Sequence, residues 1–128
     1  GIDPPRRDLQ AAAKEKRRPW DLGKDFEHSA ILAPLVPAAQ WAEIGAQRIH
    51  LSRDGVIAQD AALSDMVWSV PEIIAHLSRF YIMRAGDLIY TGTPAGVGPV
   101  APGSVLEGGI DGLPPVHLSI AEVAEVAG

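Results

Sequence analysis

The sequence predicts an α+β domain that is mainly β, on three observations. RIHLSR-DG-VIAQD (48–60) is a hairpin pattern, two alternating runs joined by Asp54-Gly55. Further strand-like segments cluster late in the chain, without the strand–helix alternation that builds parallel sheets. Helix-forming patterns are confined to 6–18 and 70–80.

Taken in order, RRDLQAAAKEKRR (6–18) holds good helix formers with no Gly or Pro between Pro5 and Pro19. The spacing predicts a helix with Leu9, Ala12, Ala13 and the Lys16 stem inward, stopped by Pro19. WDLGKDFEHSAILAPLVP (20–37) reads as a loop and then a short extended run broken by Pro34 and Pro37. Residues 38–46 have room for one helical turn. In the hairpin, Asp-Gly tolerates the positive φ of a type I′ turn. Alternation sends Ile49 and Leu51 one way, His50 and Ser52 the other.

VPEIIAHLSRF (70–80) is amphipathic, with Ile73, Ile74, Leu77 and Phe80 along one side. Pro71 suits a first turn, and Glu72 suits the positive end of the helix dipole. A turn at Ala85-Gly86 leads into a predicted strand from Asp87 to Tyr90. Two more strands are predicted at 104–110 and 115–121.

With 128 residues the chain reads as one domain, 1–128, long enough to bury a real core. Aromatic residues are only 5%, so that core must rest on Ala, Val, Ile and Leu. A net charge of −5 argues against a nucleic-acid-binding face. The absence of cysteine excludes disulfides, thiolate zinc sites and a thiol nucleophile, and fits a cytoplasmic protein. No apolar run approaches the roughly 18 residues of a membrane span, and GIDPPRRDLQ is unlike a signal peptide.

Two clusters could carry chemistry. The first is GDLIYTGTPAGVGPV (86–100). No Lys-Ser/Thr follows its last glycine, so it is not a Walker A loop, and its spacing is not that of a dinucleotide fingerprint. Glycines admit close backbone approach, and Thr91 and Thr93 add hydroxyls. Such a loop suits a carboxylate or enolate oxygen, although composition alone favours a plain tight turn between strands. The second cluster is Asp3, Arg7, Asp8 and Gln10, followed by Lys24. Arg7 and Gln10 share a helix face, and arginine grips carboxylates at two points. With the aspartate and lysine they could hold a divalent metal and an anionic substrate; singly, Asp3 reads as a helix cap and Arg7 as a surface charge. His28, His50, His76 and His117 lack zinc-binding spacing, and no serine sits in a GxSxG elbow.

Together these segments resemble the fumarylacetoacetate hydrolase family. GDLIYTGTPAGVGPV is similar to that family's Gly-Asp-(apolar)₂-x-Thr-Gly-Thr-Pro-x-Gly-Val-Gly segment. DPPRRDLQ (3–10) resembles its Asp-x-x-x-Arg-Asp-x-Gln, PWDLGKDF (19–26) its Pro-Trp-x-x-x-Lys-x-Phe, and DMVWSVPEIIAHLS (65–78) the run between hairpin and threonine loop. The resemblance reaches to about residue 120 and is nearest to the acylpyruvase and fumarylpyruvate hydrolase branch.

The resemblance implies a mixed β-roll with short peripheral helices, a homodimer, and a keto-acid substrate whose C–C bond is hydrolysed with Mg²⁺ or Mn²⁺. It implies Asp3 as a metal ligand, Lys24 as the catalytic group, and Arg7, Gln10, Gly92 and Thr93 as substrate contacts. Relatives that decarboxylate oxaloacetate or isomerise hydroxydienoates are alternatives, as is a non-catalytic remnant or binding module. The family's metal-binding Glu-x-Glu and its His-Glu dyad precede the aspartate and have no counterpart in this sequence. The chain therefore reads as an N-terminally truncated, C-terminal part, expected to bind metal weakly and to show little activity alone. Pro4 and Pro5, Ser104 and Pro114 depart from the family's usual residues. The two adjacent prolines remove two N–H groups beside Asp3.

Overall fold

The hairpin forms as its sequence dictates. β1 (Arg48–Arg53) and β2 (Val56–Ala62) pair antiparallel, and Asp54 (φ 52°) and Gly55 (φ 79°) make the turn between them. The structure is a computed structural model that describes residues 1–41 and 44–122. β3 (Val105–Ile110) pairs antiparallel with β1, and β4 (Val116–Ser119) with β3, giving the order β2-β1-β3-β4. The α+β, mainly β class holds.

Asp54 also locks the third strand. Its carboxylate accepts from the Val105 N–H at 2.8 Å and the Ser104 hydroxyl at 3.1 Å, while its own N–H donates to the Val105 carbonyl at 2.9 Å. One residue thus makes the turn and sets the start of β3.

Among the described residues, three α-helices lie outside the sheet. α1 (Arg7–Glu15) is shorter than 6–18, because Arg17 turns to φ 51° and its N–H and that of Arg18 close back on Lys14 and Ala13. α1's expected inner side is hardly covered: Leu9 is 40% exposed and Ala13 half-buried, while Ala12 and Lys16 are exposed. α2 (Asp21–Lys24) is a single turn inside the segment expected to be a loop. α3 (Val70–Leu77) begins with a reciprocal cap in which Ser69 and Glu72 exchange hydrogen bonds. Donation from the Ser69 N–H, and then from its hydroxyl, holds the Glu72 carboxyl below the usual carboxylate range. Beyond Leu77 the chain continues as turns, and Phe80 is exposed.

Two other expectations change. Residues 38–46 supply only a 3-10 turn at Ala38–Gln40, with 42 and 43 outside the described residues. The run 87–90 does not form a strand. An extended run becomes a strand only when a neighbour completes its backbone hydrogen bonds, and none of β1–β4 lies beside it.

The core is thinner than chain length suggested. Among the described residues, Leu106 and Val116 are the buried apolar side chains. Ser52, Gln59 and Ser104 are the buried polar ones. The chain exposes 9794 Å², against about 6,500 Å² for a compact monomer of this mass. Leu22, Val67, Phe80 and Ile82 are among the large apolar side chains left open.

Asp54→Ala is expected to destabilise the protein by about 1–2 kcal/mol, from left-handed strain and lost hydrogen bonds. Urea unfolding followed by circular dichroism measures it; an unchanged midpoint would contradict the double role of Asp54.

Candidate functional site

α1 and α2 pack through a glycine. The Arg6 N–H donates to the Gly23 carbonyl at 2.8 Å, and a Cβ on Gly23 would stand 3.0 Å from the Gln10 nitrogen. Only a residue without a side chain allows so close an approach. Phe26 returns under the Arg6 guanidinium, 4.6 Å from its ring centre. This crossing carries Lys24, the last residue of α2, to Asp3.

The Lys24 ammonium and Asp3 carboxylate are 2.5 Å apart, each side chain 37% exposed. An ion pair this open contributes about 0–1 kcal/mol, so it places charge rather than holding the fold. Asp3 is not the cap of α1: that position is Arg6, without a side-chain cap bond. Arg7 opens α1 and is exposed; Gln10, one turn on, is half-buried.

Tyr90 links this pair to the glycine loop. Ile2 and Ile31 form a two-way backbone bridge at 2.9 Å, and the Tyr90 hydroxyl donates to the same Ile31 carbonyl at 3.3 Å. Burial chiefly, and the Asp3 charge second, push the Tyr90 phenol above its ordinary pKa. The segment leading into Thr91-Gly92-Thr93 therefore starts within the field of Asp3.

The hairpin clamps that loop. Gln59, 8% exposed, donates from its side-chain nitrogen to the Thr93 hydroxyl oxygen at 2.8 Å and to the Pro94 carbonyl at 2.7 Å. Arg53 donates to the Pro99 carbonyl at 2.6 Å. Gly92 (φ 100°) and Gly96 (φ 102°) take backbone angles that other residues resist. At Gly96 a Cβ would come within 2.0 Å of the Ala58 carbonyl oxygen.

Of the residues singled out from sequence, Asp3 and Lys24 are in contact. Among the described residues no hydrogen bond or ion pair joins Thr93 to either; Tyr90, ahead of the loop, bonds the Ile31 carbonyl. Sequence reasoning missed Gln59, Arg53 and Tyr90. A signal existed for Gln59, an amide inside the otherwise apolar run VIAQ.

Asp3 offers the oxygen chemistry that hard cations take, but it is already paired with Lys24. Among the described residues no group of three His, Asp or Glu side chains could hold a metal ion. These residues do not by themselves fit a divalent cation; they supply one donor.

An ammonium beside a carboxylate, with a hydroxyl-bearing glycine loop on an antiparallel sheet, is chemistry suited to a small oxyacid. The C-terminal family model of fumarylacetoacetate hydrolase matches residues 1–121, and the chain belongs to that family. It is 42% identical over 120 residues to a fumarylpyruvate hydrolase from Ralstonia, covering 94% of this chain and 62% of that one. It is 38% identical over 112 residues to a mitochondrial oxaloacetate tautomerase of Mus musculus, covering 88% and 51%. The fold superposes on fumarylpyruvate hydrolase from Pseudomonas aeruginosa in complex with Mn²⁺ and pyruvate, with TM-score 0.84 and 42% identity, over 91% of this chain and 50% of that one. The chain thus spans about half to three-fifths of these relatives' lengths.

Gly96→Ala is expected to cost more than Gly55→Ala in a denaturant titration. Both residues sit at positive φ, but only Gly96 would drive a Cβ into backbone, Gly55 having open space. The difference should be at least about 1 kcal/mol; equal losses would show that the contact with Ala58 is not formed.

Asp3→Asn should lower the Tyr90 titration measured by tyrosinate absorbance, with Tyr90→Phe identifying the signal. The shift should be partial, because burial is the larger cause. A tyrosine with a raised folded pKa adds stability that is whole below the ordinary value, about 10, and is lost as pH rises through the folded value. Asp3→Asn should therefore narrow that alkaline loss.

Proposed function

We propose that this chain is the keto-acid-holding part of a metal-dependent hydrolase that cleaves a C–C bond in an acylpyruvate, of the fumarylpyruvate type. The observation that carries the reading is the Asp3–Lys24 pair, joined through Tyr90 to a loop whose Thr93 hydroxyl is held by Gln59. Support comes from the fumarylpyruvate hydrolase relative and from the Mn²⁺ and pyruvate in the Pseudomonas aeruginosa protein.

In this reading the Arg7 guanidinium and Gln10 amide grip the substrate's acid end from α1, and Thr93 with the Gly92 backbone holds it from the loop. Water adds to the acyl carbonyl, the C–C bond breaks, and the pyruvate portion departs as an enolate that is then protonated. The Lys24 ammonium stabilises negative charge as it develops on the enolate or the attacking water. Asp3 holds the Lys24 ammonium in place until substrate arrives. Mg²⁺ or Mn²⁺ would supply Lewis-acid polarisation of the keto-acid oxygens, with Asp3 as the one donor that this site offers it. The domain is taken as a single unit, 1–128, assembling as a homodimer in the cytoplasm.

The mouse tautomerase relative favours a second reading, enolisation of oxaloacetate on the same residues. Both reactions pass through an enolate next to a carboxylate, so Lys24 and Thr93 serve either.

Acylpyruvates and oxaloacetate, offered to the full-length gene product with Mg²⁺ or Mn²⁺, separate the two. Hydrolysis of acylpyruvate, with Lys24→Ala lowering kcat by about 10²-fold or more while stability shifts by less than about 1 kcal/mol, supports the proposal. Tautomerisation of oxaloacetate alone favours the second reading, and an unaffected Lys24→Ala variant overturns the role of Lys24. Residues 1–128 alone are expected to turn over little substrate.

A further inference from the structure

Gln59 is buried on β2, well away in sequence from every segment that resembles a substrate contact, yet it touches the loop at Thr93 and Pro94. The Pro94 carbonyl can only accept, so the nitrogen end of the Gln59 amide must face the loop. That nitrogen carries two N–H groups, and Pro94 and Thr93 receive one each. Thr93 Oγ is thereby an acceptor toward Gln59, and its own proton must point elsewhere. Thr93 is exposed, so that proton is free to reach a ligand.

The approach depends on an irregularity in β2. Leu51 faces Gln59 and Ser52 faces Ile57, leaving Ala58 unpaired as a bulge. The Ala58 carbonyl lies against Gly96, while Gln59 turns under Thr93. Ile57 is 58% exposed and Gln59 is 8% exposed, although plain alternation puts them on one face. Bulges recur where a strand must re-aim a side chain.

We infer that Gln59 is a positioning residue for keto-acid binding: by donating to both Thr93 Oγ and the Pro94 carbonyl, it turns the Thr93 hydroxyl proton toward the substrate carboxylate. The inference rests on the proposed role of Thr93 and goes beyond it, since Gln59 acts on the ligand only through Thr93.

A double-mutant cycle in the full-length gene product tests it, reading KM and kcat for acylpyruvate hydrolysis. Thr93→Val and Gln59→Leu should each raise KM about tenfold with kcat little changed, because uniform binding is lost. The double variant should be no worse than either single one, because both remove the same hydroxyl contact. If Thr93→Val raises KM and Gln59→Leu does not, or if the two effects multiply, the positioning role is overturned while the reading of Thr93 stands. If Thr93→Val leaves KM unchanged, or the wild type turns over no acylpyruvate, both fall.

Gln59→Glu covers the case in which the leucine variant fails to fold. An ionised carboxyl keeps the size but cannot donate, so KM should rise near neutral pH. It should recover relative to wild type as pH falls toward the carboxyl's own pKa, about 4.3, where a donor returns. A space-filling role predicts wild-type KM throughout, and that result, or a defect that ignores pH, overturns the inference.

Discussion

Asp54 bends the chain between β1 and β2 and holds the first residues of β3 with the same side chain. The remaining sheet follows from that junction. With Val105 held at Asp54, Leu106 falls opposite Arg53, and the antiparallel register runs on to Ile110 opposite Ile49. Leu106 and Val116 are then brought into the core, where Val116 and Leu51 close over Gly108. The hairpin fixed in this way becomes the bench on which the glycine loop rests, at Gln59, Ala58 and Arg53.

The interior is held by polar contacts as much as by apolar ones. Ser52 donates to the Glu107 carbonyl, Ser104 to Asp54, and Gln59 to the loop. A buried donor that loses its partner costs about 1–3 kcal/mol, so each contact constrains its neighbours strongly where the described residues bury only two apolar side chains. That economy leaves apolar surface outside the sheet. Tyr81, Ile82, Leu88 and Tyr90 line an open hollow behind the loop, on a chain that matches only part of its relatives' length.

Legibility followed the range of the interaction. The Asp54-Gly55 turn and the start of α3 at Val70 are written within a few residues, and both appear where the pattern puts them. α1 ends three residues short of the predicted limit because Arg17, not Pro19 itself, makes the reversal. Residues 87–90 carry a strand pattern, but pairing needs a neighbouring edge, which no local pattern reports. Asp3 and Lys24 stood out through their motifs, while their contact depends on Gly23 letting α2 close on α1. Gln59 was passed over because a bulge breaks the alternation by which a strand's faces are read.

By itself the sequence determined the mainly β class, the hairpin, the start of α3 and the family motifs. These depend on turn-forming dipeptides, capping pairs and functional groups, which act over one to four residues. Only the tertiary structure decided that Lys24 meets Asp3, that Tyr90 reaches the Ile31 carbonyl, and that Gln59 donates to Thr93. Those contacts join residues 21 to 59 positions apart. Their distances follow from a glycine crossing, a shared carbonyl and a one-residue slip in β2, and backbone closures of that kind leave little mark on local pattern.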